Sequence, residues 1–255
     1  MSLRFAILGS GSRGNATLIE AGGTRVLLDC GFQLRDAEAR LAQFGLEPAA
    51  LDAILVTHEH GDHLGGVARL ARRYGIPVWM TEGTYAAWND RKVEQVHRFC
   101  PHQALLIGAL QVLPYPVPHD AREPCQYVFE HGRRRLGVLS DAGSVTSHMR
   151  AMLTDCDALM LECNHDVAML AAGPYHESLK RRVGGMRGHL SNTQAAALLG
   201  ELDVARLQHL VLTHLSEINN APARAMEAVH ARLQRELERM VCARQDQTLG
   251  WREVA

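Results

Sequence analysis

Between Leu55 and His63 the chain reads Leu-Val-Thr-His-Glu-His-Gly-Asp-His, with His58, Glu59, His60, Asp62 and His63 falling directly after an apolar segment. No packing requirement explains that density of imidazole and carboxylate. A divalent metal does, because neutral imidazole and carboxylate oxygen are the ligands that borderline ions take in water. The run holds more donors than one tetrahedral ion usually accepts from a single loop, so it reads as half of a two-metal site. Any fold for this chain must therefore bring the remaining ligands to this loop from distant positions.

Three candidates each stand just beyond an apolar strand: His119 in Val117-Pro118-His119-Asp120, Asp141 in Val138-Leu139-Ser140-Asp141, and His214 in Leu212-Thr213-His214. Taken singly, each is more often a solvated loop residue than a ligand. Taken with the motif, three strand-end donors in chain order are hard to obtain by accident. His58 and His60 lie two apart, so on an extended stretch they point the same way. Asp62 and His63 follow where the chain turns into a helix and can face a second ion.

The first third reads as a meander of short strands, Leu3 to Leu8, Ala16 to Glu20 and Thr24 to Asp29, punctuated by glycines. A helix is expected over Asp36 to Phe44, a buried strand over Leu51 to Thr57, and a helix over Leu64 to Tyr74 closed by Gly75. Ile76 to Ser140 reads as strand and turn, with a hairpin of Tyr127 to Glu130 and Leu136 to Ser140 around Gly132. Beyond Ser144, helices are expected at Val145 to Leu153, Tyr175 to Arg182, Thr193 to Leu202 and Pro222 to Arg239. The strands Ala158 to Leu161 and His209 to Thr213 interrupt them. The fold class is thus α+β, two sheets face to face with helices outside, and residues 1–255 read as one domain rather than two.

Composition excludes more than it selects. A net charge of -1 gives no global attraction to nucleic acid or membrane, so any such contact must be a local patch. Six cysteines without a CxxC pair argue against a disulfide framework or zinc ribbon. No apolar run approaches the roughly 18 residues that span a bilayer, and the N-terminus reads as a strand rather than a signal peptide. A soluble cytoplasmic protein is the expectation. The Pro222 to Arg239 helix either packs on the sandwich or pairs with another subunit as a homodimer.

The chain resembles the metallo-β-lactamase-fold hydrolases, a four-layer αββα sandwich with a dinuclear site at one edge. Within them it is similar to the WalJ/YycJ branch. The supporting runs are Leu8-Gly9-Ser10-Gly11-Ser12-Arg13-Gly14-Asn15, Leu161-Glu162-Cys163-Asn164-His165-Asp166, Gly188-His189-Leu190-Ser191-Asn192 and His214-Leu215-Ser216-Glu217-Ile218-Asn219-Asn220. Members of that branch are described as nucleases acting from DNA 5′ ends, and resemble tRNase Z in their core. The resemblance implies that one metal takes His58, His60 and His119, the other takes Asp62, His63 and His214, and Asp141 bridges both. Zinc is the first expectation and manganese the second, since carboxylates are present. His60 stands where flavin-dependent di-iron relatives have Glu, which sets oxygen or nitric oxide reduction aside.

The expected chemistry is attack by a hydroxide shared between two dications, whose binding lowers the pKa of water from about 15.7 toward about 7. Asp62 is expected to orient that nucleophile as well as bind metal. His189 is the candidate for phosphate contact or leaving-group protonation, with an idle loop residue as its bland alternative. Lys180, Arg181, Arg182 and Arg187 precede it in a glycine-containing stretch suited to tracking a phosphate backbone, or equally to a solvated helix end. Ser191 and Asn192 open the next helix as cap, ligand contact, or both. The Gly9 to Asn15 run is assigned no nucleotide-binding role. Asn15, Glu162, Asn164, His165 and Asn219 are left without a role. The reading is a metal-dependent phosphodiesterase acting as a 5′-to-3′ exonuclease on a DNA end. A hydrolase of small phosphodiesters or cyclic nucleotides, an RNA-processing nuclease of tRNase Z type and a thioester or lactone hydrolase stand as alternatives.

Overall fold

The computed structural model describes residues 2–233 and 240–255. The first sheet uses β1 (Leu3–Gly9), β2 (Ala16–Ala21), β3 (Thr24–Leu28), β4 (Ala53–Leu55), β5 (Val78–Thr81) and β6 (Val96–Phe99). The second uses β7 (Leu105–Ile107), β8 (Leu110–Pro116), β9 (Cys125–His131), β10 (Arg134–Leu139), β11 (Ala158–Glu162), β12 (His209–Thr213) and β13 (Met240–Cys242). The last strand, β14 (Leu249–Val254), returns to pair antiparallel with β1. The orders are β14-β1-β2-β3-β4-β5-β6 and β13-β12-β11-β10-β9-β8-β7. Each sheet is antiparallel in one half (β14 to β3, β7 to β10) and parallel in the other (β3 to β6, β10 to β13).

Helices cover the outer faces. α1 (Leu34–Ala42), α2 (Gly61–Leu64), α3 (Val67–Tyr74) and α4 (Glu82–Ala87) belong to the first half. α5 (Ser147–Leu153), α6 (Val167–Ala172), α7 (Glu177–Val183), α8 (Asn192–Leu199) and α9 (Pro222–His230) belong to the second. Strand alternation decides which core each side chain enters. On β1, Phe5 and Ile7 face the second sheet and meet Tyr127, Phe129, Val138, Met160 and Val211. Ala6 and Leu8 face outward with Leu41, Val67 and Leu70. On the far side Leu159 and Leu161 of β11 pack with Met149, Leu153, Leu198 and Val229. Burial on both faces explains why these strands read as nearly continuous apolar runs, and the expected sandwich is the one observed.

The two sheets are stitched together beneath the metal motif. From β9, the Cys125 amide donates to the Thr57 carbonyl at 3.1 Å, and the buried Tyr127 hydroxyl donates to the Val56 carbonyl at 2.5 Å. The loop that carries the donors is thereby fixed to both halves before any ligand is considered.

Several elements differ from the sequence reading. The single helix over Leu64 to Tyr74 is instead α2 and α3, separated at Gly65 and Gly66. Gly66 passes so close to the loop after β3 that a Cβ there would lie 1.9 Å from the Phe32 carbonyl oxygen, while its amide donates to Cys30 O at 2.7 Å. The stretch read as strand and turn contains α4, started by the Thr81 side chain accepting from the Thr84 amide at 3.2 Å. α6, capped in the same way by Asp166, and the closing strands β13 and β14 are additions to the expected elements. Of the helix over Pro222 to Arg239, Pro222–His230 is seen, and residues 234–239 lie outside the described residues.

Gly66→Ala should destabilise the protein by about 1–3 kcal/mol, the usual cost of overpacking against a fixed backbone. Gly250→Ala, whose Cβ would meet nothing within 4 Å, serves as control. Urea denaturation of both variants checks this; equal midpoints would mean the loop after β3 does not constrain α3.

Candidate metal centre

The parallel strands deliver their ends to one edge. Register aligns Leu28 with Leu55 on β3 and β4, Leu139 with Leu161 on β10 and β11, and Glu162 with Thr213 on β11 and β12. Asp29, Asp141, Glu162 and His214 therefore arrive at or just past neighbouring strand ends. Asp29, Asp141 and His214 adopt left-handed backbone angles, with φ of 58°, 50° and 54°. Asp and His tolerate this region better than most residues, and the turn aims each side chain back across the sheet edge. His119 follows β8 and the His58–His63 loop follows β4.

All seven residues expected as ligands meet there. The donor atoms of His58, His60 and His119 lie within 4.8 Å of one another, as do those of Asp62, His63, Asp141 and His214. His60 Nδ1 is 3.2 Å from His119 Nε2, and His63 Nε2 is 3.1 Å from Asp141 Oδ2. Asp141 touches both groups, its other oxygen being 3.9 Å from His119 Nε2. Asp62 Oδ2 lies 3.4 Å from His214 Nε2 and 3.5 Å from His63 Nε2.

Most of these imidazoles are turned by a partner on Nδ1. His63 Nδ1 faces Asp29 Oδ2 at 2.8 Å, His58 Nδ1 faces Thr57 Oγ1 at 2.9 Å, and His119 Nδ1 faces the Gly188 carbonyl at 3.0 Å. His214 Nδ1 is 3.2 Å from Glu162 Oε1. Their Nε2 atoms are left to converge, the arrangement by which outer partners orient metal-bound histidines. The Nε2 of His58 is buried with no hydrogen-bond partner among the described residues. A buried nitrogen with nothing to bind is costly in a protein interior, and a divalent cation is the partner its neighbours are arranged to share. Burial, followed by the charge of His63, holds the His58 pKa well below its usual value, so this ring is neutral and able to ligate. Burial works against the charged form of Asp141 too, yet the surrounding His214 and His63 keep its pKa well below the ordinary carboxylate range. Burial likewise opposes the charge on His214, but Asp141, Asp62 and Glu162 push its pKa up to about 10. These carboxylates demand positive charge among them, as protons or as metal ions.

The comparisons with known proteins agree with this geometry. The family profile described as Beta-lactamase superfamily domain matches residues 24–215. The exodeoxyribonuclease YycJ of Bacillus anthracis is 35% identical over 224 residues, covering 86% of this chain and 85% of the relative. The exodeoxyribonuclease WalJ of Streptococcus pneumoniae is 34% identical over 226 residues, covering 86% and 84%. The chain belongs to the YycJ/WalJ family of metallo-β-lactamase-fold proteins. The fold is shared with YhfI from Bacillus subtilis at a TM-score of 0.75 and 19% identity, covering 99% of this chain and 100% of that one. It is shared with the short form of human tRNase Z at a TM-score of 0.66 and 18% identity, covering 97% and 98%. With its donor clusters, this YycJ/WalJ family member is a dinuclear metal-dependent hydrolase.

In this YycJ/WalJ family member, four residues without a role in the sequence reading organise the site. Asp29, buried at the end of β3, accepts from the Thr57 amide at 2.8 Å and the Thr57 hydroxyl at 2.9 Å while holding His63. The sequence does carry a signal for it, because it is an acid closing an apolar strand, as Asp141 is. Glu162 is fully buried; Oε2 accepts from the amides of Ala142 and Leu190, both at 3.0 Å, and Oε1 faces Nδ1 of His189 at 2.8 Å and of His214. Asn15 accepts from the Gly11 amide at 2.9 Å, and its Nδ2 lies 3.4 Å from Asp62 Oδ2 and 3.1 Å from His63 Nε2. Ser10 in the same loop accepts from the His214 amide at 2.9 Å. The Gly9–Asn15 loop thus braces the second donor group from both sheets.

The residues expected on the substrate side divide. His189 is partly exposed and lies 3.5 Å from Asp141. Arg182 pairs with Asp120 at 2.5 Å, and Asp120 in turn lies 3.9 Å from His60 Nε2. Arg181 and Arg187 are exposed. Lys180 is tied down, donating to the Ala171 carbonyl at 2.7 Å and pairing with Glu177 at 3.1 Å. Ser191 and Asn192 are buried, both 2% exposed. Ser191 caps α8 by accepting from the Gln194 amide, and Asn192 exchanges two 2.9 Å hydrogen bonds with Asn220.

Asp29→Asn keeps the size of the side chain but removes the acceptor that faces His63 Nδ1. Metal affinity should fall by about 10- to 100-fold, as for other outer-partner losses, read by competition with a chromophoric chelator. Unchanged affinity would mean His63 needs no orienting carboxylate.

Proposed function

We propose that the protein is an exonuclease that degrades DNA from a 5′ end, using two divalent ions. His58, His60 and His119 hold one ion, Asp62, His63 and His214 hold the other, and Asp141 lies between them. The donor set, rich in nitrogen, favours zinc, with manganese as the alternative. When bound, such a pair supplies Lewis acidity at a phosphate and a water acidified toward neutrality. Residues 1–255 act as one catalytic domain in the cytoplasm, where DNA ends are met.

The observation that carries this reading is the pairing of His189 with the buried Glu162 carboxylate at the open side of the metal centre. Burial opposes a charge on His189, but the charge and hydrogen bond of Glu162, with Asp141 behind, raise its pKa. A ring whose protonated form is favoured in this way could give a proton from Nε2 to a departing oxygen. Such an acid is useful where the leaving group is an alkoxide, as it is for a sugar oxygen of DNA. Asp62, whose Oδ2 faces both His63 and His214, would hold metal with them and orient the attacking water. Arg182 reaches the edge of the site through Asp120, and the exposed Arg181 and Arg187 beside it in sequence would add cations suited to phosphate oxygens. The names of the two curated relatives, both exodeoxyribonucleases, support the same substrate.

The direct test loads the protein with zinc or manganese separately and supplies end-labelled DNA and RNA, with and without a 5′-phosphate. Stepwise loss of DNA from the 5′ end is expected; hydrolysis confined to short diesters would overturn the assignment. His189→Ala should retain both ions while lowering kcat by about 10²- to 10⁴-fold, the range for loss of a general acid. Metal analysis with single-turnover kinetics checks it, and unchanged turnover would remove His189 from the mechanism. Arg181→Ala combined with Arg182→Ala should raise KM for an oligonucleotide more than for a dinucleotide; equal effects would exclude a backbone clamp.

A further inference from the structure

Asp120 directly follows His119, and its two oxygens face different neighbours. Oδ1 lies 3.5 Å from His119 Nε2 and 3.9 Å from His60 Nε2, at the edge of the first donor group. His60 turns Nδ1 inward, 3.2 Å from His119 Nε2, so Nε2 is its outer nitrogen. Oδ2 accepts from Arg182 Nε at 2.5 Å.

The backbone fixes Arg182 beside the same group. α7 ends at Val183, whose carbonyl accepts from the His189 amide at 2.8 Å. The Gly188 carbonyl faces His119 Nδ1 at 3.0 Å, and a Cβ on Gly188 would lie 2.1 Å from the Arg182 carbonyl oxygen. The end of α7 is therefore packed onto the segment that orients His119 and carries His189.

An arginine presents five N–H donors in a planar fork. Arg182 spends Nε on Asp120, while Nη1 and Nη2 make no hydrogen bond or ion pair among the described residues. Its side chain is 59% exposed, so those four N–H groups are open to an anion. The hydrogen bond to Asp120 raises the Arg182 pKa against a small opposing effect of burial, and the charges of Asp120 and Asp62 add to the rise. The guanidinium thus feels the field of both donor groups. A long side chain held in one geometry before its ligand arrives loses less freedom on binding. Asp120 is to His60 and Arg182 what Glu162 is to His214 and His189, a carboxylate shared between a ligand histidine and a group on the substrate side.

We propose that Asp120 is a positioning residue, holding Arg182 by Nε at the edge of the first donor group so that the Nη1–Nη2 edge receives the non-bridging oxygens of a phosphate bound at the metal centre. This inference rests on the phosphodiester chemistry proposed above and is indifferent to whether the diester is DNA.

The test is a double-mutant cycle on the zinc-loaded protein: wild type, Asp120→Ala, Arg182→Ala and the double variant, with Asp120→Asn as the conservative change. Calorimetry reads the Kd of inorganic phosphate, metal analysis the zinc content and urea denaturation the stability. KM is measured for bis(p-nitrophenyl) phosphate and for a 5′-phosphorylated single-stranded 12-mer. All variants should keep two zinc ions. The phosphate Kd should rise about tenfold in Arg182→Ala, as for loss of a charge-assisted contact. It should rise in Asp120→Ala as well, less in Asp120→Asn, which keeps an acceptor for Nε, and no further in the double variant than in Arg182→Ala. KM for the small diester should follow the same order. Phosphate binding that is unchanged or tighter in Asp120→Ala would overturn the proposal, because the carboxylate would then be idle or a competitor for Arg182. Effects that multiply in the double variant, or a lowered urea midpoint without coupling to Arg182, would overturn it too. Loss of zinc from Asp120→Asn would make Asp120 part of the ion's own site instead. If wild type cuts the small diester but not the 12-mer, the DNA reading fails while the cycle still decides the role of Asp120. A wild type that neither binds phosphate nor cuts a diester would contradict both.

Discussion

Asp29, Asp62, Asp141 and Glu162 are gathered with His58, His63, His119 and His214 in a region that is largely closed to water. Desolvated negative charge of that density holds together only if positive charge is interleaved with it. The sandwich is built around meeting that condition. β4 ends where its loop can be tied to β9 by Tyr127 and Cys125, and parallel strands in the second sheet present Asp141, Glu162 and His214 side by side. The left-handed turns at Asp29, Asp141 and His214 are local strains carried at the same edge, as is common where function fixes a backbone.

Glu162 joins the structural and chemical roles. One oxygen accepts from the Ala142 and Leu190 amides, which fixes the loops carrying Asp141 and His189. The other serves His189 and His214 together. The same carboxylate thus faces both His214 and His189, so the partly exposed ring is tied to the donor cluster within a single side chain's reach.

Much of this architecture is legible in the sequence. The seven ligand candidates stand out because imidazole and carboxylate at strand ends have few other uses, and the two-sheet arrangement follows from short apolar strands flanked by helices. What escapes a linear reading depends on contacts remote in sequence. Asp29 acquires its role only once β3 pairs with β4 and brings Thr57 and His63 to it. The break between α2 and α3 is dictated by Phe32, more than thirty positions from Gly66, and no local pattern announces it. Ser191 and Asn192 are legible as the opening of a helix, and the cap on Ser191 is seen; the partner of Asn192, Asn220, lies 28 positions away and no local pattern points to it. α4 and α6 are too short for periodicity to show, although Thr81 and Asp166 are recognisable capping signals.

The central claim is that two cations supply the positive charge that protonated histidines would otherwise bring to these carboxylates. Crystals grown with zinc and measured on both sides of its absorption edge test it most directly. Two anomalous peaks are expected, one among His58, His60 and His119 and one among Asp62, His63 and His214, with Asp141 touching both. A metal-replete crystal with no peak in either position would contradict the account.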